Sequence, residues 1–353
     1  MIPTAADVAV VGGGLCGLAL AAQLVRAGVD VQLFEARDRF GGRARSEPGP
    51  DGAAYDLGPS WIWPQNRRVR AVAAAQGLTL FEQHSAGRLI FQDETGATQP
   101  YDFATMAGSL RIDGGVGALA DALAATIPDD RLRAGCAIRR IADGADGLRL
   151  EGAWGACDAR RVVVAAPPRV AATIAFDPPL PPGALAALTT PPTWMAGHAK
   201  LVAVYSTPFW REAGLSGDGV SRRGPLAEIH DASPRDLRSG ALFGFVGTPA
   251  EARAGRRDAV IAAAVDQLRV MFGPGAGAPD AVLYADWAEE PATATAADAE
   301  PPMGHPTYRP AAALEALWGG RLRFSVTELA PEDAGFIEGA FAAAEVAAAA
   351  LGA

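Results

Sequence analysis

The sequence DVAVVGGGLCG at residues 7–17 decides the fold of this chain. Residues 8–11 are apolar and mostly β-branched, as expected for a strand buried on both faces of a parallel sheet. Gly12, Gly14 and Gly17 then follow the spacing Gly-x-Gly-x-x-Gly, which permits a tight turn, close approach of a pyrophosphate and close helix–strand packing. The segment therefore predicts a turn that binds an adenine dinucleotide.

A helix is predicted over residues 15–27, because apolar residues recur at helical spacing and Gly28 suits a C-terminal cap. The N-terminus of this helix offers unpaired N–H groups and a partial positive charge to a phosphate, so Leu15 and Cys16 join the predicted cofactor-binding residues. The next strand ends at Glu35, where an acid is expected to accept hydrogen bonds from the adenosine ribose.

The sequence EARDRFGGR at residues 35–43 extends this pattern beyond what an NAD dehydrogenase requires. It resembles the signature of the two-dinucleotide-binding flavoproteins, in which Gly-Gly-Arg follows the ribose acid and contacts the FAD pyrophosphate. The resemblance implies that Ala36, Arg37, Gly42 and Arg43 bind FAD. Arg43 supplies fixed charge and a fork of donors that suits phosphate, and a surface salt bridge is the alternative.

The composition suits an enzyme with a large core, since 50% of the 353 residues are hydrophobic and 20% are charged. The net charge of -9 argues against nucleic acid and an anionic membrane as partners. No signal peptide is evident and no apolar run is long enough to span a membrane, so we expect a cytoplasmic protein. The few cysteines and histidines show no ligand spacing, and no metal site is predicted. The sequence does not specify an oligomeric state.

The middle of the chain returns to the dinucleotide pattern. A glycine turn at residues 114–115 leads into an amphipathic helix, residues 136–141 and 147–151 alternate like strands of a meander, and residues 160–166 form a buried strand that ends at prolines. This order is similar to that of the flavin monoamine oxidase family and its relatives. The resemblance implies that the backbone near Ile138 meets the adenine of FAD, although an ordinary core position is compatible with the same residue.

The sequence DLGPSWIW at residues 56–63 also resembles this family, where the loop passes near the flavin ring. Trp61 is expected to line the flavin or substrate cavity, with simple packing as the alternative. The resemblance adds these residues of the loop to the predicted cofactor site: Gly58, Pro59, Ser60 and Trp61. Trp63 is assigned to the substrate pocket.

The catalytic candidate lies in the sequence HAKLVAVYSTPFW at residues 198–210, whose alternation predicts a strand. The family has a lysine at the start of such a strand, ahead of Pro-Phe-Trp, and that lysine holds a water at flavin N5. Lys200 matches this lysine, and an ammonium there would also stabilise developing superoxide charge. The alternative is an exposed lysine at a strand end. His198 has no role by resemblance and is expected to be structural.

The C-terminal segment completes the resemblance. A strand is predicted to end at Thr327 and Glu328, the family's Thr-Glu pair, which lies along the ribityl–phosphate region of FAD. A helix is predicted over residues 332–351, and it contains the family's Gly-aromatic-x-Glu-Gly-Ala. By resemblance, backbone N–H groups near Phe336 and Ile337 face flavin N1 and O2, where they stabilise the charge of reduced flavin. A capped surface helix is the alternative.

Three departures from the family bear on function. In classical amine oxidases an aromatic pair flanks the substrate nitrogen, and here Phe336 matches one member while the other falls within residues 303–308, at His305 or Tyr308. The covalent flavin cysteine of the mammalian enzymes is absent from this segment, so FAD is expected to bind non-covalently. The segment before the Gly-Gly helix is short, which predicts a compact substrate domain with an open cavity.

The predicted fold is α/β, with a Rossmann-like FAD-binding domain formed by residues 1–75, 110–170 and 302–353. A smaller α+β substrate domain, built on a mixed sheet, is predicted from residues 76–109 and 171–301. The implied activity is oxidation of a small amine by hydride transfer to flavin N5, giving an imine, with oxygen as electron acceptor. Two alternatives stay open: an FAD-dependent desaturase or isomerase of a carbon skeleton, and a flavin-binding subunit without turnover of its own.

Overall fold

The structure, a computed structural model, describes residues 5–300, 302, 304–309 and 311–353. Two sequence predictions concern residues outside this description. One is the absence of a signal peptide at residues 1–4, and the other is the segment expected to hold the second aromatic residue, which begins at Met303.

The strands, in chain order, are β1 (Ala5–Val11), β2 (Val31–Phe34), β3 (Ser46–Pro48), β4 (Ala54–Asp56), β5 (Leu80–Glu82), β6 (Arg88–Gln92), β7 (Thr98–Tyr101), β8 (Leu110–Ile112), β9 (Leu132–Arg133), β10 (Arg140–Asp143), β11 (Leu148–Gly152), β12 (Gly155–Val164), β13 (Ala175–Asp177), β14 (Ala199–Tyr205), β15 (Leu215–Ser221), β16 (Leu226–Asp231), β17 (Gly240–Val246), β18 (Ala281–Asp286) and β19 (Leu322–Phe324).

The helices are α1 (Leu15–Arg26), α2 (Arg67–Ala75), α3 (Gly115–Ala124), α4 (Pro168–Ala171), α5 (Pro182–Thr189), α6 (Phe209–Glu212), α7 (Ala250–Arg253), α8 (Arg257–Phe272), α9 (Leu317–Gly320) and α10 (Ile337–Leu351). Among the helices of the described residues, none combines the length and the apolar character that crossing a bilayer requires.

The first sheet is built around the N-terminal strand. β1 runs parallel to β2 on one side and to the C-terminal half of β12 on the other, within the order β13-β10-β11-β12-β1-β2-β9. β19 adds to β12 in parallel, and β10, β11 and β12 form the predicted antiparallel meander. Val8, Val10 and Leu33 have no exposed surface, as expected for strands of a parallel sheet that is covered on both faces.

Helix α1 packs beside the C-terminal helix α10 in the core of this first sheet. Leu18, Leu20 and Leu24 of α1 are fully buried, and each such leucine contributes about 2 kcal/mol to folding. Gly28 follows the helix with a φ of 75°, the left-handed conformation of a C-terminal cap. The helix and the cap predicted from the sequence are therefore confirmed.

The second sheet has the order β18-β14-β17-β16-β15-β6-β7 and is antiparallel except for the β15–β6 pair. One face, which carries Leu201, packs against α8. The other face carries Val202 and packs against Tyr55 and Leu57, which follow the first glycine motif in the chain. Because side chains alternate along a strand, Lys200 lies on this second face, toward the dinucleotide-binding segments.

The predicted fold class is confirmed, since the chain forms a Rossmann-like α/β unit and a mixed second sheet. β13 continues the first sheet to Asp177, beyond the predicted boundary at residue 170. The division into two domains stays a prediction.

Three element boundaries differ from the sequence expectation. α10 begins at Ile337 rather than at residue 332, because Gly335 has a φ of 87°, which an α-helix cannot contain. β19 ends at Phe324, and Thr327–Leu329 form a 3-10 turn instead of the end of a strand. β10 begins at Arg140 rather than at residue 136.

Candidate active site

The turn between β1 and α1 contains one crowded and one open glycine. A Cβ on Gly17 would lie 1.9 Å from the carbonyl oxygen of Gly12, so only glycine allows this close packing. A Cβ on Gly14 would meet no atom within 4 Å. Gly14 is also the N-cap of α1 and provides no side-chain hydrogen bond to the first turn, which Leu15 and Cys16 begin. The turn thus combines open space with a helix N-terminus, an arrangement that accepts phosphate.

The side chain of Cys16 faces the protein core. Its Sγ donates a hydrogen bond to the carbonyl oxygen of Ser325 at 3.2 Å. Burial raises the pKa of the thiol to about 12, so the sulfur stays protonated and unreactive. Only the backbone of Cys16 is available to the turn.

Glu35 lies at the end of β2 with its carboxylate oriented by backbone groups. Oε2 accepts from the N–H of Gly13 at 2.7 Å, and Oε1 accepts from the N–H of Arg37 at 2.9 Å. The guanidinium of Arg37 lies 3.5 Å from the same Oε1 and also binds Glu290 at 2.9 Å and Thr293 at 2.5 Å. Arg37 therefore positions Glu35 through its backbone N–H and its charge, while its side chain also holds the loop after β18.

Arg43 and Glu328 connect the first motif with the C-terminal segment. Arg43 Nη1 lies 2.6 Å from Glu328 Oε1, and the Glu328 side chain has no exposed surface. The second oxygen, Oε2, is buried without a hydrogen-bond partner in the part of the chain that the structure describes. Gly42 has a φ of 60° and passes close to Gly14, since a Cβ on Gly42 would lie 3.1 Å from the Gly14 Cα.

Lys200 is the only lysine of the chain, and its side chain is enclosed at 2% exposure. Nζ donates to the Gly58 carbonyl oxygen at 3.0 Å and to Ser60 Oγ at 2.6 Å. The same nitrogen lies 3.8 Å from the centre of the Phe243 ring. Burial lowers the pKa of Lys200 to about 7, against the opposing effect of the Asp56 charge. A lysine that ionises near neutral pH in an enclosed site is a candidate for chemistry.

The loop that holds Lys200 is itself fixed by Asp56. One carboxylate oxygen of Asp56 accepts from Ser46 Oγ at 2.6 Å and from the N–H of Val116, at the start of α3, at 2.7 Å. Gly58 lies against the first motif, because a Cβ on it would be 1.9 Å from the carbonyl oxygen of Arg43. The loop therefore joins the lysine of the second sheet to the arginine of the first motif.

His305 and Phe336 form a stacked pair of rings, with 4.3 Å between centroids and 6° between planes. Of the two sequence candidates, it is thus His305 that faces Phe336. Tyr308 contacts His305 edge-on at 5.6 Å and donates its hydroxyl to the Pro192 carbonyl oxygen at 2.7 Å. The ring of Trp194 also contacts His305 edge-on, with 5.1 Å between ring centres. Four rings therefore gather ahead of α10, and Phe336 is 48% exposed.

The start of α10 is uncapped by side chains. Phe336 is the N-cap residue and Ile337 the first helical residue, with no side-chain hydrogen bond to the first turn. Thr327 Oγ1 donates to the Phe336 carbonyl oxygen at 2.6 Å, which fixes the entry to the helix. A helix N-terminus in this state stabilises negative charge placed before it.

Trp61 packs on the second sheet. Its ring centre lies 4.8 Å from that of His230 and 5.3 Å from that of Phe243, and its Nε1 donates to Gln83 Oε1 at 3.1 Å. Trp61 therefore forms part of the wall beside Lys200.

The side chains of four other predicted residues make no recorded contact with Lys200 within the described part of the chain. Trp63 lies in the turn before α2, where its backbone N–H donates to Asn66 Oδ1 at 2.7 Å. Ile138 is buried in the core beside the meander. Ala36 is exposed next to Glu35, and Pro59 is half-buried in the loop between the two residues that bind Lys200.

Sequence reasoning did not identify a second polar group on the face of Lys200. His230, with no exposed surface, lies between Asp218 and Glu228 at 3.0 Å and 2.9 Å. The sequence signal that could have indicated this group is the alternation along β16. Glu228 and His230 are two residues apart in this strand, so their side chains lie on one face.

The fold and the first glycine motif define a dinucleotide-binding protein, and comparisons with known families make this specific. The profile of the NAD(P)-binding Rossmann-like domain matches residues 10–75. The profile described as flavin containing amine oxidoreductase matches residues 91–352. The chain therefore belongs to the flavin containing amine oxidoreductase family and is an FAD-dependent oxidoreductase, which confirms the predicted family, enzyme class and cofactor.

Individual relatives extend this similarity along the whole chain. A Mycobacterium tuberculosis protein with the provisional name flavin-containing monoamine oxidase AofH is 29% identical, over 98% of this chain and 97% of the relative. That alignment extends over 462 positions although this chain has 353 residues, so the relative contains segments that this chain lacks. Putrescine oxidase of Kocuria rosea is 26% identical over 70% of this chain and 76% of its own length.

A solved structure shows the same fold. Cyclohexylamine oxidase from Brevibacterium oxydans IH-35A superposes with a TM-score of 0.83 at 21% identity, and the match covers 98% of each chain.

The residues of the first motif fit an FAD. Gly14 leaves open space at the N-terminus of α1, where a pyrophosphate would bind. Glu35 presents an oriented acid for ribose hydroxyls, and Glu328 retains a buried oxygen without a partner among the described residues. FAD carries hydroxyl groups that need acceptors and a pyrophosphate that needs open space beside N–H donors. Glu35 and Glu328 supply the acceptors, and the turn at Gly14 supplies the space.

Proposed function

We propose that this protein oxidises a small amine to an imine, which water then hydrolyses, with oxygen as the electron acceptor. FAD, when bound, supplies the hydride acceptor at flavin N5. The observation that carries the proposal is the enclosed Lys200, the only lysine of the chain, whose Nζ is bound by Gly58 and Ser60. The names of the relatives, putrescine oxidase and cyclohexylamine oxidase, support an amine as the substrate class.

The proposed role of Lys200 is to hold a proton and a charge at Nζ. Two donors of the ammonium are taken by Gly58 and Ser60, and the cation faces the π-electrons of Phe243. In the charged form, Lys200 stabilises the negative charge that develops as oxygen is reduced. The same charge disfavours a second cation beside it, so the reacting amine binds as the neutral base and requires no protein base to deprotonate it.

The proposed role of His305 and Phe336 is to flank the reacting nitrogen. Their rings are in stacking contact at 4.3 Å, which leaves no space for a group between them. Substrate entry therefore requires one ring to move aside. His305 is the ring that moves, because it belongs to a segment without regular secondary structure, whereas Phe336 is the N-cap residue of α10.

We propose that FAD is held non-covalently. The three cysteines Cys16, Cys136 and Cys157 are all buried in the first sheet and its turn, and none belongs to the C-terminal segment. The proposed FAD contacts are those predicted from the sequence, with three further roles from the geometry. Ser60 holds Lys200, Arg37 orients Glu35, and Arg43, held by Glu328, supplies positive charge for the phosphates.

The visible spectrum of the purified protein, followed by release of the flavin in acid, tests the cofactor part. Flavin absorption with a soluble chromophore is expected, and a chromophore that stays with the precipitated protein would contradict non-covalent binding. Hydrogen peroxide release from a panel of primary, secondary and polyamines tests the reaction. Anaerobic bleaching of the flavin by an amine shows turnover even where oxygen reacts slowly.

The substitution Lys200→Met tests the catalytic role directly. We expect amine oxidation or re-oxidation by oxygen to slow about 100-fold or more, with FAD content unchanged. Unchanged turnover would refute the role of Lys200. Bleaching by no amine in wild-type protein would instead favour the desaturase, the isomerase or the flavin-binding subunit.

A further inference from the structure

The Lys200 ammonium has three N–H groups, and its surroundings occupy all three sides. Two N–H groups donate to the Gly58 carbonyl oxygen at 3.0 Å and to Ser60 Oγ at 2.6 Å. The Phe243 ring covers the third side, with its centre 3.8 Å from Nζ. Because Lys200 is only 2% exposed, these contacts leave the charged lysine no N–H group for a reacting molecule.

The hydroxyl of Ser60 has one fixed role and one available role. Its Oγ accepts from the Lys200 ammonium, so the hydroxyl hydrogen points away from Nζ. Within the described residues, no group accepts that hydrogen, although Ser60 is buried at 4% exposure. Buried hydroxyl groups normally use their donor as well as their acceptor. The O–H group of Ser60 is therefore the donor that this pair offers to a bound molecule.

The direction of the hydrogen bond between the two side chains depends on the ionisation of Lys200. A charged lysine has no lone pair, so Ser60 accepts from it and directs its own O–H group elsewhere. A neutral lysine has a lone pair, and the hydroxyl can then turn and donate to Nζ. The donor of Ser60 is thus presented when Lys200 is protonated and withdrawn when Lys200 is neutral.

The groups around Lys200 place this change near neutral pH. Burial lowers the pKa of Lys200 to about 7, while the charge of Asp56 on β4 raises it and that of Arg111 on β8 lowers it. The strands on both sides of β14 place Phe245 and Ala285 opposite Lys200, and neither residue ionises. Both states of the hydrogen bond are therefore accessible at ordinary pH.

The loop that carries Ser60 is attached to the first motif. The N–H groups of Leu57 and Gly58 donate to the Arg45 carbonyl oxygen at 2.9 Å and 3.3 Å. Gly58 also packs against the carbonyl oxygen of Arg43, where a Cβ would lie at 1.9 Å. The pair of Lys200 and Ser60 is thus held against the segment that binds the dinucleotide.

We propose that Lys200 acts through Ser60, whose hydroxyl donates a hydrogen bond to oxygen as it is reduced, while Lys200 orients that hydroxyl and supplies the positive charge behind it. This inference deepens the proposed amine oxidation and rests on it. Ser60 is then the residue that contacts the reacting atoms, and its donor is available only while Lys200 is charged.

The first test follows the titration of Lys200 in FAD-loaded protein labelled with carbon-13 at the lysine Cε. Ser60→Ala should lower the midpoint by about one pH unit, because the charged form loses a hydrogen bond. Ser60→Thr keeps the hydroxyl and should restore the wild-type midpoint. Ser221→Ala is the control, since the Ser221 hydroxyl on β15 donates to Gln92 at 2.8 Å, and it should leave the midpoint unchanged.

The second test measures how fast oxygen re-oxidises the flavin after reduction with dithionite, so that no amine is required. Ser60→Ala should slow this step about 10-fold or more at unchanged FAD content, because a donor to the developing negative charge is lost. Ser60→Thr and Ser221→Ala should match the wild type. In the wild type, the rate should fall as pH rises through the midpoint of Lys200.

Unchanged re-oxidation in Ser60→Ala would overturn the inference, whether or not the midpoint moves. Slower re-oxidation with an unchanged midpoint would also overturn it, because the effect would not pass through Lys200. The two proposals fail separately. A wild type whose re-oxidation depends on Ser60 but whose flavin is bleached by no amine would overturn the proposed amine oxidation and leave the role of Ser60 in place.

Discussion

Arg43 and Glu328 form an ion pair that spans 285 positions of sequence, with 2.6 Å between Nη1 and Oε1. The Glu328 side chain is fully enclosed and the Arg43 side chain is 22% exposed. Arg43 also donates to the carbonyl oxygen of Trp194, ahead of β14, at 3.4 Å. The pair therefore holds the N-terminal motif and the C-terminal segment together and connects them to the segment before β14, the strand of Lys200.

The substitution Glu328→Ala removes the counter-ion of Arg43. We expect the apo protein to lose about 3 kcal/mol of unfolding free energy, because a largely buried charge is left unpaired. FAD phosphates would supply a replacement charge, so the loss should be smaller in the FAD-loaded protein. Denaturant unfolding of both forms measures this difference. Equal losses would contradict a role of Arg43 toward phosphate, and Glu332→Ala, at an exposed ion pair with Arg68, serves as the control.

Alanine substitutions at Gly14 and Gly17 distinguish a glycine needed for cofactor binding from a glycine needed for packing. Gly14→Ala meets no atom within 4 Å and keeps an ordinary φ of -73°, so the apo protein should retain its stability. Its added methyl group would occupy the space proposed for the pyrophosphate, and FAD affinity should fall. Gly17→Ala forces a contact with the Gly12 carbonyl oxygen, so the apo protein itself should be destabilised. FAD titration and thermal unfolding distinguish the two, and equal FAD affinity of Gly14→Ala and wild type would refute the proposed site.

The dinucleotide unit could be predicted from the sequence because its signals are local. The helix packs so closely against the turn that position 17, which lies against the Gly12 carbonyl oxygen, accepts only glycine. A buried β-branched strand directly precedes this turn, so both signals lie within a few residues of each other. The family resemblance then carried the assignment to Lys200 and Phe336.

The rest depends on contacts that local patterns do not contain. The stacking of His305 on Phe336 and the hydrogen bond from Lys200 to Ser60 join distant segments, so neither spacing nor periodicity predicts them. The start of α10 was placed too early because the left-handed Gly335 is compatible with many turns and is fixed here by tertiary structure. Glu228 is an ordinary polar strand residue in the sequence, and only the register of the second sheet places it on the face that carries Lys200.

Glu338 of α10 caps a different helix, and this link can be tested. Its two oxygens accept from the backbone N–H groups of Arg68 at 2.9 Å and Val69 at 3.0 Å, in the first turn of α2. Glu338→Ala should cost about 1–2 kcal/mol of unfolding free energy, as expected for loss of a helix cap. Glu345→Ala removes an exposed carboxylate that also pairs with Arg68, and its cost should stay near 0.5 kcal/mol. Equal costs in urea unfolding would show that the ion pairs, and not the cap, carry the link.

The ionisation of Lys200 can be measured without interference, because no other lysine contributes a signal. In protein labelled with carbon-13 at the lysine Cε, one resonance should titrate near pH 7, since burial lowers the pKa from its usual 10.5. Titration near 10.5 would show that solvent reaches the ammonium and would contradict the enclosed site.

The same shift gives stability a pH dependence with a definite sign. Between pH 7 and 10.5 the unfolded chain binds a proton at Lys200 that the folded protein does not, so this residue makes unfolding free energy rise with pH across that window. Below pH 7 both states are protonated and the cost of burying the charge is present in full. Lys200→Met lacks this contribution, so its stability relative to wild type should be greatest below pH 7 and decline toward pH 10.5. Parallel stability–pH curves for the two proteins would refute the lowered pKa.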